Sequence, residues 1–187
     1  MAQSQKQFNE FFAESEDFKE EEVFEFVKNY VEAGGDINAE VRYDGDYNSL
    51  LVFSIHKGYY ELAKYLVEKG AKVNCSNYTA SPLCELLMTA SETKNSDEKI
   101  IELVALMLEK GADPNEVHGE YKFPFTPLYW AAQCPQYMEL TNLLFQYGGT
   151  KNILKACQEM PDSQTPMDVA YELRRFDLVK LLAEHLE

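Results

Sequence analysis

Basic side chains are scarce in this sequence. Lysine and arginine together number 17 against 32 aspartates and glutamates, so the formal net charge is −15 at pH 7. A protein that binds nucleic acid needs cations to neutralise phosphates, and an anionic membrane surface would repel the same acidic chain. The composition therefore disfavours nucleic-acid and membrane partners, whereas it permits a partner protein that is basic.

Long apolar runs are absent as well. None approaches the roughly 20 residues of a membrane-spanning helix. The opening residues, MAQSQKQFNE, lack the charged and then apolar layout of a secretory signal. We therefore expect a soluble, cytoplasmic protein. With 45% hydrophobic and 13% aromatic residues the chain is apolar enough to fold around a sizeable core.

Groups that could carry catalysis or hold a metal are also few. The chain has three histidines and four cysteines, with no CxxC pair and no Cys/His spacing typical of a metal site. It contains no nucleophile elbow, no phosphate-binding loop and no dinucleotide fingerprint. We predict that the protein is not an enzyme, that it has no catalytic residues, metal or cofactor, and that its thiols are reduced.

What the sequence does contain is two phrases that recur. The first, LAKYLVEKGAKVN at 62–74, returns as LVALMLEKGADPN at 103–115, and its ending appears again as GGDIN at 34–38 and GGTKN at 148–152. The second phrase reads SLLVFSI at 49–55, SPLCELL at 81–87, TPLYWAA at 126–132 and TPMDVAY at 165–171. Self-similarity at this spacing predicts a stacked array of similar units.

Each part of the two phrases has a physical role. Serine or threonine before proline starts a helix, because the hydroxyl accepts from free backbone N–H groups and proline is tolerated at the first helical position. An apolar stripe in the first phrase, such as Leu62, Tyr65 and Leu66, predicts a second, amphipathic helix. Glycine ends that helix, since the residue after a helix often needs a positive φ. The unit is therefore predicted to be helix, turn, helix and finger.

This unit resembles the ankyrin repeat, whose consensus carries T-P-L-H-x-A-A in its first helix and L-L-x-x-G-A-D-V-N after its second. The resemblance covers about residues 20–187. It implies an all-α ankyrin-repeat solenoid of about five helix-turn-helix repeats with long finger loops. We expect one domain over 1–187, with a cap at 1–38, repeats at 39–74, 75–115 and 116–152, and a second cap at 153–187. Caps are expected because a single repeat cannot bury its own apolar faces.

The spacing of the repeats is uneven. The serine or threonine that starts each unit recurs after 32, 45 and 39 residues, against a consensus period of about 33. In the third unit the excess falls near 89–99, which predicts either a lengthened first helix or an exposed loop. In the cap at the amino terminus the pattern predicts helices over 4–13 and 20–33, and a short helix is possible at 153–159.

The resemblance also implies a function, that of a non-catalytic protein–protein interaction module. We expect the partner to bind the concave, tyrosine-rich and acidic face, because tyrosine and tryptophan are the residues most often found at the energetic centres of interfaces. The variable position of the first helix, the residues before the turn and the finger tips supply the candidates. The predicted partner-binding residues are Tyr43, Asp44, Asp46, Tyr47, Phe53, His56, Tyr78, Glu85, Tyr121, Phe123 and Trp130.

Several alternatives stay open at this point. The acidic charge is also typical of an inhibitor or immunity-type protein that neutralises a basic enzyme such as a nuclease toxin. A two-sided scaffold that bridges two proteins is a further possibility. Trp130 could fill a gap between repeats, and Phe123 and Phe125 could tuck beneath their own finger. The protein is expected to be a monomer.

Overall fold

The computed structural model describes residues 2–14, 19–43, 46–74, 81–116, 125–151, 153 and 164–186, with the backbone alone described for 2–5, 13, 14, 43 and 46. The chain divides into two compact units, Met1–Lys72 and Val73–Glu187. They are called the N-terminal unit and the C-terminal unit below, and each is described by itself.

The described residues are mostly helical, and helices occur in pairs joined by short turns. The N-terminal unit contains α1 Ala2–Glu14, α2 Glu20–Glu32, β1 Glu40–Tyr43, β2 Asp46–Ser49, α3 Leu50–His56 and α4 Tyr60–Glu68. The C-terminal unit contains α5 Pro82–Thr93, α6 Glu98–Glu109, α7 Pro127–Ala131, α8 Tyr137–Gln146, α9 Pro166–Glu172 and α10 Phe176–Glu184. The helical fold is as expected, whereas the number of repeats, the caps and the single domain stay predictions.

The four predicted helix starts are confirmed. Each serine or threonine accepts a hydrogen bond from the backbone N–H three residues later, which satisfies a donor that the helix itself cannot pair. The four capping residues are Ser49, Ser81, Thr126 and Thr165. Proline follows three of them at the first helical turn, where its missing N–H costs nothing.

Glycine in a left-handed conformation follows four of the second helices, α2, α4, α6 and α8, whereas His185 ends α10. Gly70 and Gly111 have φ values of 93° and 92°. The next N–H then reaches back over the helix end: Ala71 donates to the Leu66 carbonyl and Ala112 to the Met107 carbonyl, each at 2.9 Å. This is the Schellman arrangement, in which a residue without a Cβ adopts a φ that L side chains avoid.

The greater length of the segment that begins at Ser81 is explained by its first helix. α5 has 12 residues, whereas α3 has 7 and α7 has 5. Of the two alternatives left open, the lengthened helix is the one observed. α5 packs against both α6 and α7, so the additional turns are part of the packed unit rather than an excursion from it.

The second helices bury a regular apolar stripe. Leucine recurs at one position that is at most 2% exposed in α4, α6, α8 and α10, namely Leu62, Leu103, Leu140 and Leu178. Leu106, Leu143 and Leu181 are only half-buried. A helix packed on one side buries about a third of its circumference, and these three leucines lie at the margin of that stripe.

Phenylalanines hold the first helix pair together. Phe8 is 1% exposed and its ring lies 4.8 Å from Phe12 and 4.5 Å from Tyr30, while the rings of Phe11 and Phe26 stack at 3.8 Å. Aromatic pairs of this kind add roughly 0.5–1.5 kcal/mol each beyond the burial of their surface.

Glu20, which lies in the acidic run over residues 14–25, contributes to the fold. Glu20 accepts hydrogen bonds from the backbone N–H groups of Glu61 and Leu62, at 3.1 and 3.4 Å. These N–H groups belong to the first turn of α4, which the helix leaves unpaired and where a negative charge is favoured. The carboxylate of one helix pair therefore caps a helix of the next.

A recurring asparagine links each finger to the following one. Asn74 accepts from the Asp113 backbone N–H at 2.9 Å and donates to the Gly111 carbonyl at 2.7 Å. Asn115 repeats the arrangement one unit later, accepting from Lys151 N–H at 3.2 Å and donating to the Gly148 carbonyl at 2.9 Å. The asparagine that ends the first repeated phrase therefore binds the turn of the next unit.

This link leads to a first prediction. Replacing Asn115 with alanine removes one accepted and one donated hydrogen bond, so the free energy of unfolding should fall by about 1–2 kcal/mol. Urea denaturation followed by circular dichroism measures the change. Asn142→Ala is the matched control, because Asn142 is exposed on α8. Equal stability of the two variants would contradict the role assigned to Asn115.

Candidate functional site

Three aromatic rings meet at the start of α7. Thr126 and Pro127 begin this helix, and its first turn then brings Tyr129 and Trp130 to the same side as Phe125. The ring centroids lie 4.5 Å apart for Phe125 and Tyr129, and 5.1 Å apart for each pair that includes Trp130. All three side chains are half-buried, so the cluster is packed on one side and reachable on the other.

The Trp130 side chain also carries a hydrogen-bond donor without an acceptor. The indole Nε1 of Trp130 is shielded from solvent and makes no hydrogen bond within the described residues. A shielded donor without an acceptor is costly, and most such groups in folded proteins are paired. Burial of this N–H therefore opposes the packing of Trp130 in the cluster.

Carboxylates lie on the helices to either side of the cluster. α7 packs between α5 and α9. Glu85 of α5 stands four residues after its capping Ser81, as Trp130 stands four residues after Thr126, so the two hold equivalent positions on neighbouring helices. On the other side Glu172 of α9 is exposed. Burial raises the pKa of Tyr129, a hydrogen bond with Gln133 lowers it, and the nearby Glu172 raises it. We call Phe125, Tyr129, Trp130 and Glu172 the aromatic face.

Glu85 is unusual among these carboxylates. Its side chain is 3% exposed. Burial and the nearby Glu92 raise the pKa of Glu85 to about 7, against a smaller lowering by the hydrogen bond that Thr89 donates. A carboxyl group in such surroundings resists ionisation unless a cation approaches it.

Two of the predicted binding residues do not reach solvent as expected. Phe53 is 3% exposed, because the ring of Phe12 packs edge-on against it at 5.4 Å and Tyr59 lies at 6.3 Å. Glu85 is buried because the lengthened α5 packs against two helices. The expectation that the variable position of the first helix is exposed was therefore wrong for both, while Trp130 at the same position is half-buried.

The N-terminal unit carries other predicted residues on its hairpin. Tyr47 of β2 is 65% exposed and pairs with Arg42 of β1, while His56 is exposed at the end of α3. Tyr43 and Asp46 pair across the same two strands, and their side chains lie outside the described residues. The hairpin thus presents at least one free aromatic ring.

Four further candidates lie outside the described residues, namely Asp44, Tyr78, Tyr121 and Phe123. Their part in binding stays a prediction, as does that of the other candidates.

The predicted set lacked Phe125, Tyr129 and Glu172 of the aromatic face. Tyr129 occupies the position at which the repeat consensus carries histidine. A local signal was present, because Phe125, Tyr129 and Trp130 are spaced by four residues and by one, which brings them together once a helix begins at Pro127.

Other kinds of site were sought in the same residues. In the described ranges no group of three or more histidine, cysteine, aspartate or glutamate side chains is placed to hold a metal ion. Nor does any described helix combine the length and the apolar character needed to cross a membrane.

Comparison with known proteins agrees with the repeated phrases. Residues 46–78 match the family model of the ankyrin repeat. The chain is 25% identical, over 175 residues, to the ankyrin repeat protein FPV031 of fowlpox virus (strain NVSL), an alignment that covers 78% of the chain and 50% of the relative. The chain thus spans about half the length of this relative. The resemblance predicted from the two phrases is confirmed.

Proposed function

We propose that this chain, which contains an ankyrin repeat at residues 46–78, is a non-catalytic module that binds another protein through the aromatic face of its C-terminal unit. Ankyrin repeats are in general protein–protein interaction modules, which supports the class of function. The observation that supports the choice of surface is the cluster of three half-buried rings, Phe125, Tyr129 and Trp130, at the start of α7.

The chemistry of the face indicates the kind of partner. Its rings offer flat surfaces on which a guanidinium or ammonium group can lie, and the exposed Glu172 supplies the opposite charge. A segment of a partner protein that carries arginine or lysine fits these two features together, and the net charge of −15 would speed its approach.

Comparison of Trp130→Ala with the unmodified chain tests the proposal. The bound partner is first captured on immobilised protein and identified by mass spectrometry, and its affinity is then measured by calorimetry. Removing a central aromatic anchor should weaken binding about tenfold or more. Tyr147→Ala is the matched control, because Tyr147 is 41% exposed in the same unit but lies at the end of α8 rather than on the face.

The opposite result would also be informative. Should the partner bind Trp130→Ala as tightly as the unmodified chain, the aromatic face is not the binding surface. The hairpin variant Tyr47→Ala then becomes the next test, since Tyr47 is 65% exposed.

A second candidate function rests on the charge alone. A chain with a net charge of −15 could act as an inhibitor that occupies the phosphate-binding cleft of a basic enzyme, such as a nuclease. Binding of that kind weakens steeply as salt is raised. An affinity that stays constant between low and high salt would exclude the inhibitor and leave the general interaction module.

A further inference from the structure

The last helix pair exposes an apolar patch. Tyr171 at the end of α9 is 66% exposed, Leu173 in the following turn 49%, and Phe176 at the start of α10 61%. The rings of Tyr171 and Phe176 meet edge to face with centroids 6.2 Å apart. Scattered single apolar residues are ordinary on a protein surface, whereas an adjoining group such as this marks a place where something binds. We call these three residues the terminal patch.

Tyr171 occupies a position that is buried in the two preceding helix pairs. Tyr171 follows its capping residue by six positions, as Leu87 and Ala132 follow theirs, and both of those are 0% exposed. α5 packs against α7, α7 against α9, and α9 against α10. The position is therefore core in the α5 and α7 pairs, whereas among the described residues Tyr171 is 66% exposed.

The charge around the terminal patch indicates what can cover it. Residues 164–186 carry four acidic side chains and three arginine or lysine side chains, a formal charge of −1 within a chain of −15. Glu172 and Arg174 flank Leu173, and both are exposed. A surface with both signs of charge beside an apolar centre can pair with itself, because a two-fold axis brings the cation of one copy to the anion of the other.

We propose that two copies of this chain form a symmetric dimer through the terminal patch. Tyr171 and Phe176 of each copy pack against those of the other, and Arg174 of each lies opposite Glu172 of its mate. The rest of the chain, with its larger negative charge, lies away from this contact. The inference departs from the monomer expected from the sequence, and it does not depend on the proposed binding function.

The size of the patch sets the strength of the dimer. Two aromatic side chains and one leucine cover on the order of 300–400 Å² of apolar surface on each copy. That area falls below the roughly 800 Å² per partner of a standard interface, so the dimer should be weak, dissociating in the range of about 1–100 μM. Net repulsion between two acidic chains should make the dimer tighter as salt is raised, the opposite of binding to a basic partner.

Sedimentation velocity tests the dimer. The unmodified chain, measured at concentrations from about 1 to 300 μM in moderate salt, should shift from the mass of a monomer toward that of a dimer. Phe176→Glu and Tyr171→Glu should each remain monomeric over this concentration range, which corresponds to at least a tenfold rise in the dissociation constant of the dimer. Because both side chains are mostly exposed, the variants should keep the circular dichroism spectrum of the unmodified chain.

Two controls locate the contact. Tyr147→Glu changes an exposed aromatic residue elsewhere in the same unit and should dimerise as the unmodified chain does. Arg174→Glu should be monomeric by itself and should associate again when Glu172→Arg is added to the same chain. The proposal is overturned if the unmodified chain remains a monomer over the whole range, or if the dimer survives both aromatic substitutions.

Discussion

Replacing Glu85 with glutamine should stabilise the protein by about 3 kcal/mol at pH 8 and leave its stability nearly unchanged at pH 4.5. Burial raises the pKa of Glu85 to about 7 in the folded chain, from 4.5. Below pH 4.5 the carboxyl is protonated in both the folded and the unfolded chain, so it costs nothing. As the pH rises through 7 the folded chain must ionise a buried group, and stability is lost. Glutamine is neutral at every pH and escapes this loss.

Urea denaturation at several pH values measures this effect. The free energy of unfolding of the unmodified chain should fall, relative to that of Glu85→Gln, across the interval from about pH 4.5 to pH 7 and then remain below it. Glu109→Gln is the matched control, because Glu109 is exposed on the neighbouring α6. Parallel curves for the unmodified chain and Glu85→Gln would show that the Glu85 carboxyl is not buried as described.

Replacing Arg175 with alanine should lower the free energy of unfolding by about 2–3 kcal/mol. Its guanidinium donates to the carbonyl groups of Ala132, Gln133 and Cys134, which follow the end of α7, and it lies 4.1 Å from the ring centroid of Tyr137. Carbonyl groups at the end of a helix lack partners within it, and a cation there is favoured. Arg175 therefore ties the last helix pair to the one before it.

The neighbouring arginine supplies the control for this prediction. Arg174 is exposed and has a φ of 56°, so its replacement by alanine should change stability little. Arg175→Lys should recover only part of the loss, because an ammonium group cannot reach three carbonyls and cover a ring as the planar guanidinium does. Hydrogen exchange should show faster opening of 166–184 in Arg175→Ala, and unchanged exchange there would contradict the role of Arg175.

The two predictions concern opposite effects on stability. Arg175 supports the packing of the last helix pair, whereas Glu85 opposes stability at neutral pH. The Glu85 side chain is 3% exposed, so its effect on the protein is one of stability rather than of contact with a partner.

Much of the local structure could be predicted from the sequence. The capping residues Ser81 and Thr126 and the helix-ending Gly70 and Gly111 act through backbone groups within a few residues of themselves, so their effect is contained in the order of the residues. The same holds for the repeated phrases that revealed the ankyrin repeat. Short-range hydrogen bonding needs no knowledge of the rest of the fold.

The candidate site could be predicted only in part. Trp130 was included because of its residue type and its place in the phrase, and it lies on the aromatic face. Phe53 and Glu85 were expected at the surface by the same reasoning and are buried. Whether a position on a helix is exposed depends on which neighbour covers it, and a phrase that repeats along the chain does not specify that neighbour's side chains.

The sequence by itself determined that helices begin and end where they do, that they repeat, and that the chain carries a large negative charge. Only the tertiary structure decided that Phe53 is covered by Phe12, that Arg175 reaches back to the end of α7, and that Tyr171 is exposed where Leu87 and Ala132 are buried. The reason is that helix starts and ends arise from contacts within a few residues. Burial and long-range hydrogen bonds depend instead on residues about 40 positions apart, which come together only after the helix pairs have packed.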